Sequence, residues 1–167
     1  MEIHDIEPFL DYWARIRERT RRVVVLIPAE KLEWAPREGA WSFGDLVRHL
    51  AAIERWMFAE NVSGRPSRYP GHGRELADGR DAVLAYFDRM HHEATEAFRA
   101  LTPEALQARC TTPGGASMPA WKWLRAMVEH EIHHRGQIYL MLGMIGVPTP
   151  PMYGLTSEEV KERSVAA

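Results

Sequence analysis

The sequence predicts an all-α protein: an antiparallel four-helix bundle with long connecting loops and a short C-terminal helix. Apolar residues recur at helical spacing in four segments of roughly 20 residues each. No segment of the 167 residues shows the alternating pattern of a half-buried strand. Prolines and glycines separate the helical segments. Helices of this length usually pack side by side as a bundle, and we expect a single domain over residues 1–167.

Each predicted helix has a stripe of apolar residues along one face. Pro28 ends the first segment, because proline cannot continue a helix. Gly143, Gly146 and Pro148 end the last one. The four helices are predicted over residues 6–27, 43–61, 79–101 and 120–145.

Two capping boxes support the helix starts. Ser42 precedes Asp45 by three positions at the start of the second helix, and Thr156 precedes Glu159 at the start of the short final helix. In this pattern the hydroxyl and the carboxylate each accept a backbone N–H that would otherwise lack a partner. The connections over residues 62–78 and 103–118 are rich in turn residues and are predicted to be loops.

Composition excludes several classes of function. The formal net charge is -2 and both signs are mixed along the chain, so we expect no broad basic surface for nucleic acid. The single cysteine, Cys110, excludes an internal disulfide and a cysteine-rich metal site. No signal pattern and no apolar run of about 18 residues is found. We therefore expect a cytoplasmic protein that binds neither nucleic acid nor membrane.

Residues 130–137 form the most informative stretch of the chain. His130 and His134 are one helical turn apart on the flank of the apolar stripe, so both can contact one metal ion. His133 points further round, toward solvent. Glu131 lies on the stripe itself, where an unpaired carboxylate would be costly. We expect Glu131 to bind a cation, hold a histidine or act as a base.

Other residues could complete this site. His49 lies on the flank of the second helix and is a candidate third ligand, although Arg48 or Glu54 could equally hold it in a structural role. His91, near the inner face of the third helix, competes with it. Gln137 continues the flank beyond His134 and could orient an imidazole or a bound water. His4, His72 and His92 are expected to be exposed.

The spacing of His130, Glu131 and His134 also matches the H-E-x-x-H helix of zinc peptidases, in which the glutamate activates a water. The extended form of that motif requires a glycine and a second downstream histidine, and this chain has Gln137 and Leu140 there. Only the extended form of the motif fails, so a metal-dependent hydrolase with Glu131 as base stays open as an alternative.

Two segments resemble the DinB-like (DinB/YfiT) superfamily of bacterial stress-associated proteins. They are Ser42-Phe43-Gly44-Asp45-Leu46-Val47-Arg48-His49-Leu50 and His130-Glu131-Ile132-His133-His134-Arg135-Gly136-Gln137-Ile138, with Trp121-Lys122-Trp123-Leu124 and Tyr153-Gly154-Leu155-Thr156 in support. The resemblance implies a four-helix bundle, often a homodimer, and a divalent ion, commonly zinc or nickel, held by three histidines. Those positions are His49, His130 and His134.

The resemblance further implies thiol transfer, because related proteins move bacillithiol, mycothiol or glutathione onto electrophiles. The expected partners are a low-molecular-weight thiol and a small electrophile. The metal would lower the pKa of the thiol, and Glu131 or Gln137 would orient the ligands or a water. Two alternatives are a metal-dependent hydrolase and a noncatalytic metal-binding stress protein.

Overall fold

Four long helical segments account for most of the protein, in agreement with the sequence. The computed structural model describes residues 2–164. The predicted boundaries of the long segments are correct to within a few residues. The observed helices are α1 (Ile6–Val24), α2 (Phe43–Ile53), α3 (Ala59–Val62), α4 (Arg80–Arg99), α5 (Pro103–Gln107), α6 (Ala120–Met144) and α7 (Ser157–Arg163).

The second predicted helix contains a π-helical stretch. Glu54–Phe58 adopts π geometry between α2 and α3, so the run from residue 43 to residue 62 is helical throughout but not uniformly α. The widened turn redirects the side chains that follow it, and such turns often lie beside functional sites. Hydrophobic periodicity did not predict it.

The expectation that residues 103–118 form only loops is wrong. They contain the short helix α5 and a hairpin of β1 (Arg109–Thr111) and β2 (Ser117–Pro119), paired antiparallel. Cys110 faces Met118 in this pairing. Strands of three residues are too short to display a reliable alternating pattern, so periodicity could not predict this hairpin.

Both capping boxes are confirmed. The hydroxyl of Ser42 accepts the Asp45 N–H at 3.1 Å, and the Asp45 carboxylate accepts the Ser42 N–H at 2.9 Å. Thr156 and Glu159 make the same reciprocal pair. These contacts satisfy donors that have no partner within the helix, and they fix the starts of α2 and α7.

The apolar core consists of two clusters separated along the helices. Helix α1 packs against α4 and α6, and α2 also packs against α4 and α6. One cluster contains Phe9, Trp13, Phe98 and Leu124; the other contains Val23, Phe43, Phe87 and Ile138. On α1 the change from one cluster to the other falls between Ile16 and Val23, and on α6 it falls between Val128 and Ile138.

A group of buried charges lies between the two clusters. Arg17 Nη1 donates to Glu131 Oε2 at 2.8 Å, and Arg17 Nη2 is 3.1 Å from Glu54 Oε2. Trp13 Nε1 donates to Glu54 Oε1 at 2.8 Å, and His91 Nδ1 is 2.9 Å from the same oxygen. We call these five residues the buried ion cluster. It joins α1, α4, α6 and the π-helical stretch through charge-assisted hydrogen bonds.

No helix within residues 2–164 combines the length and apolarity needed to cross a membrane.

Candidate metal centre

The structure brings His49, His130 and His134 together. Helix α2 carries His49, and α6 carries the other two one turn apart. Nε2 of His130 lies 3.0 Å from Nε2 of His49 and 3.1 Å from Nε2 of His134. One ligand nitrogen from each residue fits within a group whose members are all within 4.8 Å of one another.

This donor set fits a divalent metal ion. Imidazole ligands bind zinc at about 2.0–2.1 Å, which places two such nitrogens about 3.3 Å apart in tetrahedral geometry. The Nε2 contacts of His130 are slightly shorter than that, and a small outward movement would admit an ion. Three protein nitrogens leave at least one position open, as in catalytic zinc sites.

Two further hydrogen bonds orient the histidines. Tyr69 Oη lies 2.7 Å from Nδ1 of His49, and Gln137 Oε1 lies 2.7 Å from Nδ1 of His134. The Gln137 oxygen can only accept, so Nδ1 of His134 carries the hydrogen and its Nε2 offers a lone pair to the shared centre. Such partners fix the tautomer and the orientation of metal-binding imidazoles.

Burial keeps the three imidazoles neutral. It lowers the pKa of His49 to about 3, with a further contribution from the neighbouring imidazoles. Burial likewise lowers the pKa of His130 to about 4 and shifts the pKa of His134 downward. The neutral form is the one that binds metals, so the group is ready to accept a cation near neutral pH.

A loop over residues 62–78 closes one side of the centre. Its His72 contacts Tyr69 Oη through Nδ1 at 3.3 Å. The buried Arg48 anchors this loop, because its guanidinium donates to the backbone oxygens of His72 and Ala77 at 2.8 and 3.1 Å. Burial raises the pKa of Tyr69 to about 12, so the phenol keeps its proton and can bridge the two histidines.

Trp41 packs against the histidines and against the loop. Its ring centroid lies 4.2 Å from that of His72 and 4.7 Å from that of His49. It also stacks on His134 with an interplanar angle of 17° and a centroid distance of 5.8 Å. Trp41 remains 37% exposed, so it forms a wall between the centre and solvent.

A cleft of about 730 Å³ opens beside this wall. Trp41 and Pro36 line one side, and His134, Gln137 and Met141 line the other. The volume suits a small organic molecule. Because His134 belongs both to the histidine group and to the cleft, a ligand in the cleft can reach the candidate metal position.

The structure also places the other residues that the sequence suggested around His49. Arg48 and Glu54, the structural partners considered for His49, bind other residues: Arg48 pairs with Glu33 and Asp45, and Glu54 joins the buried ion cluster. His72 was expected to be exposed but is half-buried against Trp41. The competitor His91 bonds to Glu54 and lies outside the three-histidine group.

Glu131 occupies a different place from the one a metal-site base would need. Its side chain is buried, 2% exposed, and its carboxylate accepts from Arg17. Among residues 2–164, its hydrogen bonds and ion pairs do not include His49, His130 or His134. The residue belongs to the buried ion cluster, and this position favours a structural role.

Sequence reasoning missed Tyr69 and Trp41 as parts of the site. Both lie in irregular segments, where no periodicity indicates which way a side chain points. The sequence contained one indication of Tyr69. It lies in the long connection over residues 62–78, and a long loop in a compact domain is often functional.

Known proteins similar to this chain share its fold. A dinb-like protein from Bacillus cereus matches with a TM-score of 0.74 and 21% identity over 89% of this chain and 97% of its own. The dinb-like protein YjoA from Bacillus subtilis gives a TM-score of 0.72 at 19% identity, covering 89% of this chain and 98% of that one. A mycothiol-dependent maleylpyruvate isomerase gives 0.65 at 18% identity, covering 80% of this chain but 60% of the isomerase.

Sequence comparison identifies the family. The uncharacterized protein YrdA of Bacillus subtilis is 24% identical over 164 residues, which cover 92% of this chain and 91% of YrdA. The family model of the DinB superfamily matches residues 12–138, a span that contains all three clustered histidines, the whole of α2 and most of α6. This chain belongs to the DinB superfamily.

Proposed function

We propose that this protein is a divalent-metal-dependent enzyme that transfers a small thiol onto an electrophile. The observation that carries the proposal is the convergence of the Nε2 atoms of His49, His130 and His134 beside a ligand-sized cleft. The mycothiol-dependent maleylpyruvate isomerase, which shares this fold at 18% identity, provides a precedent for thiol chemistry on such a scaffold.

The proposed cofactor is zinc or nickel, bound by these three histidines. When bound, such an ion supplies a positive charge that lowers the pKa of a thiol held in the cleft. Tyr69 and Gln137 hold the imidazoles of His49 and His134 in the required orientation. Trp41 shields the centre from bulk water, which strengthens the electrostatic interactions within it.

In the proposed reaction the thiol loses its proton to water, and the sulfur lone pair forms a bond to an electrophilic carbon. The carbon releases a leaving group with the bonding electrons. In an activated double bond, sulfur instead bonds to one carbon, and the other carbon takes up a proton from water. No protein residue is modified in either case. Gln137 contributes by orientation, because its amide neither gains nor loses a proton.

A hydrolase with Glu131 as base receives less support. The Glu131 carboxylate is occupied by Arg17 within the apolar core, and a general base must lie within hydrogen-bond reach of the proton that it removes. A noncatalytic metal-binding role is the outcome that remains if no thiol is turned over.

Metal analysis tests the site. We expect the purified protein to hold about one divalent ion per chain, and His49→Ala, His130→Ala and His134→Ala each to hold much less, because a three-ligand site tolerates few losses. His133→Ala is the matched control, since His133 is exposed on the same helix next to His134. Unchanged metal content in all three ligand variants would refute the site.

Thiol consumption tests the reaction. The protein is incubated with monobromobimane and, in separate assays, with bacillithiol, mycothiol or glutathione. We expect turnover with at least one thiol that stops when a chelator removes the metal. If chelation lowers the melting temperature while no thiol is consumed above the uncatalysed rate, the ion is structural and the enzyme proposal fails.

Further properties belong to the same proposal. The four long helical segments form a single antiparallel four-helix-bundle domain, two copies form a homodimer, and the protein acts in the cytoplasm during stress or detoxification. Size-exclusion chromatography with light scattering tests the dimer.

A further inference from the structure

The cleft beside His134 has a mostly apolar wall. Apolar side chains form most of its wall on α6, where Leu140, Met141 and Met144 follow Gln137 along one helical face. Leu140 and Met144 are 68% and 56% exposed. Large exposed apolar residues that share a cleft indicate a binding surface.

One positive charge lines the cleft outside the apolar wall on α6. Arg37 lines the cleft, whereas no aspartate or glutamate of residues 2–164 does so. Arg37 Nη1 donates weakly to the backbone oxygen of Glu38 at 3.4 Å. Within the described chain Arg37 forms no ion pair, in contrast to Arg48 and Arg17, which both pair with carboxylates.

We propose that the cleft binds an amphipathic carboxylate. Its hydrocarbon part packs on Met141 and Met144, and its carboxylate accepts hydrogen bonds from the guanidinium of Arg37. A planar guanidinium matches the geometry of a carboxylate and binds it through two parallel hydrogen bonds.

The inference deepens the proposed function, because it names the substrate class of the same site. It rests on the proposed function only in assigning the reacting end of the substrate to the histidine side of the cleft. His134 and Gln137 belong to α6 and precede Met144 by ten and seven residues, so this wall extends over about 10–15 Å at 1.5 Å per residue. That length suits a chain of roughly eight carbons.

Calorimetric titration with octanoate tests the inference. Octan-1-ol serves as the uncharged probe of the same length. We expect octanoate to bind at least tenfold more tightly than octan-1-ol. Arg37→Ala should weaken octanoate binding about tenfold, the range expected for loss of a charge-assisted hydrogen-bond pair, and should leave octan-1-ol binding unchanged. Arg22→Ala, which removes an exposed arginine on α1, is the control.

A second pair of variants tests the apolar wall. Leu140→Glu places a like charge in the cleft and should weaken octanoate binding at least tenfold. Ile132→Glu is the matched control, because Ile132 is also exposed on α6, at 40%, but does not line the cleft. Both substitutions are at exposed positions, so both variants should fold.

Several results would overturn the inference. They are equal affinity for octanoate and octan-1-ol, no effect of Arg37→Ala, or equal effects of Leu140→Glu and Ile132→Glu. Loss of binding in His130→Ala but not in Arg37→Ala would place the carboxylate at the histidines and would also refute the inference. Retained octanoate binding in His130→Ala would support the inference, whether or not the protein transfers thiols.

Discussion

The phenol oxygen of Tyr69 lies 2.7 Å from Nδ1 of His49, although the two residues are 20 positions apart and Tyr69 belongs to a loop. The contact joins the loop over residues 62–78 to the candidate metal centre. It also gives His49 the kind of partner that sets the affinity of many metal sites.

Tyr69→Phe should therefore weaken metal binding about 10-fold or more, since loss of such a partner typically costs 10–100-fold. Competition with a fluorescent zinc chelator measures the affinity. Tyr153→Phe, at a side chain 77% exposed, is the matched control. Equal affinities of Tyr69→Phe and the wild type would show that the hydrogen bond does not support the centre.

Substitutions of Gln137 test whether its side-chain oxygen supports metal binding by accepting from His134. Gln137→Leu removes the oxygen that receives the His134 Nδ1 hydrogen, and we expect metal affinity to fall about 10-fold. Gln137→Glu keeps an acceptor oxygen and should retain or increase the affinity. The same chelator competition compares the variants, and a loss of similar size in both would contradict the assignment.

The metal-free protein should lose stability as the solution is acidified. The pKa values of His49 and His130 fall from 6.5 to about 3 and about 4 on folding. Between those values and 6.5 the unfolded chain binds more protons, so the free energy of unfolding decreases as pH falls through this window. We expect about 1–2 kcal/mol per histidine between roughly pH 7 and pH 5.

Urea unfolding at both pH values measures this effect. His92→Ala should keep the full dependence, because His92 is exposed on α4, away from the three histidines. His49→Asn should reduce the dependence, since it removes one of the three histidines whose pKa is lowered. An identical pH dependence in His49→Asn and the wild type would show that other groups are responsible.

Breaking the buried ion cluster should destabilise the protein strongly. Arg17→Met leaves Glu54 and Glu131 buried without their cation, and removal of one partner from a buried pair costs about 3–5 kcal/mol. The combination Arg17→Met, Glu54→Gln and Glu131→Gln removes the charges together and should recover part of that loss. Urea unfolding compares the two proteins with the wild type.

Glu131→Gln alone separates a structural role from a catalytic one. With a structural role we expect a loss of about 1–3 kcal/mol in the free energy of unfolding and unchanged metal content and turnover. A fall in turnover of about 100-fold or more at unchanged stability would instead identify Glu131 as a base.

Periodicity predicted the parts of the fold that regular helices build. It located the long helices, and the spacing of His130 and His134 placed both on one flank. Burial of Glu131 also followed from its position on the apolar stripe. Its partner did not, because Arg17 is one of several arginines on α1 and nothing in the pattern distinguishes the buried one.

Irregular segments account for what the sequence did not predict. The approach of Tyr69 and His72 to His49 depends on the path of a loop, and that path is held by the hydrogen bonds of Arg48 to two backbone oxygens. Such contacts depend on tertiary structure and leave no repeating pattern in the sequence. The π-helical stretch at Glu54–Phe58 similarly allows Glu54 to meet Arg17 without a local signal.

The buried ion cluster fixes the axial register of α6 relative to α1. Sliding α6 along α1 by one turn, about 5.4 Å, would separate Arg17 from Glu131 and leave both charges in an apolar environment. Apolar side chains alone would penalise such a slip far less. His130 is adjacent to Glu131 in the chain. The Arg17–Glu131 ion pair, which does not contact the three histidines, therefore sets the axial position at which His130 meets His49.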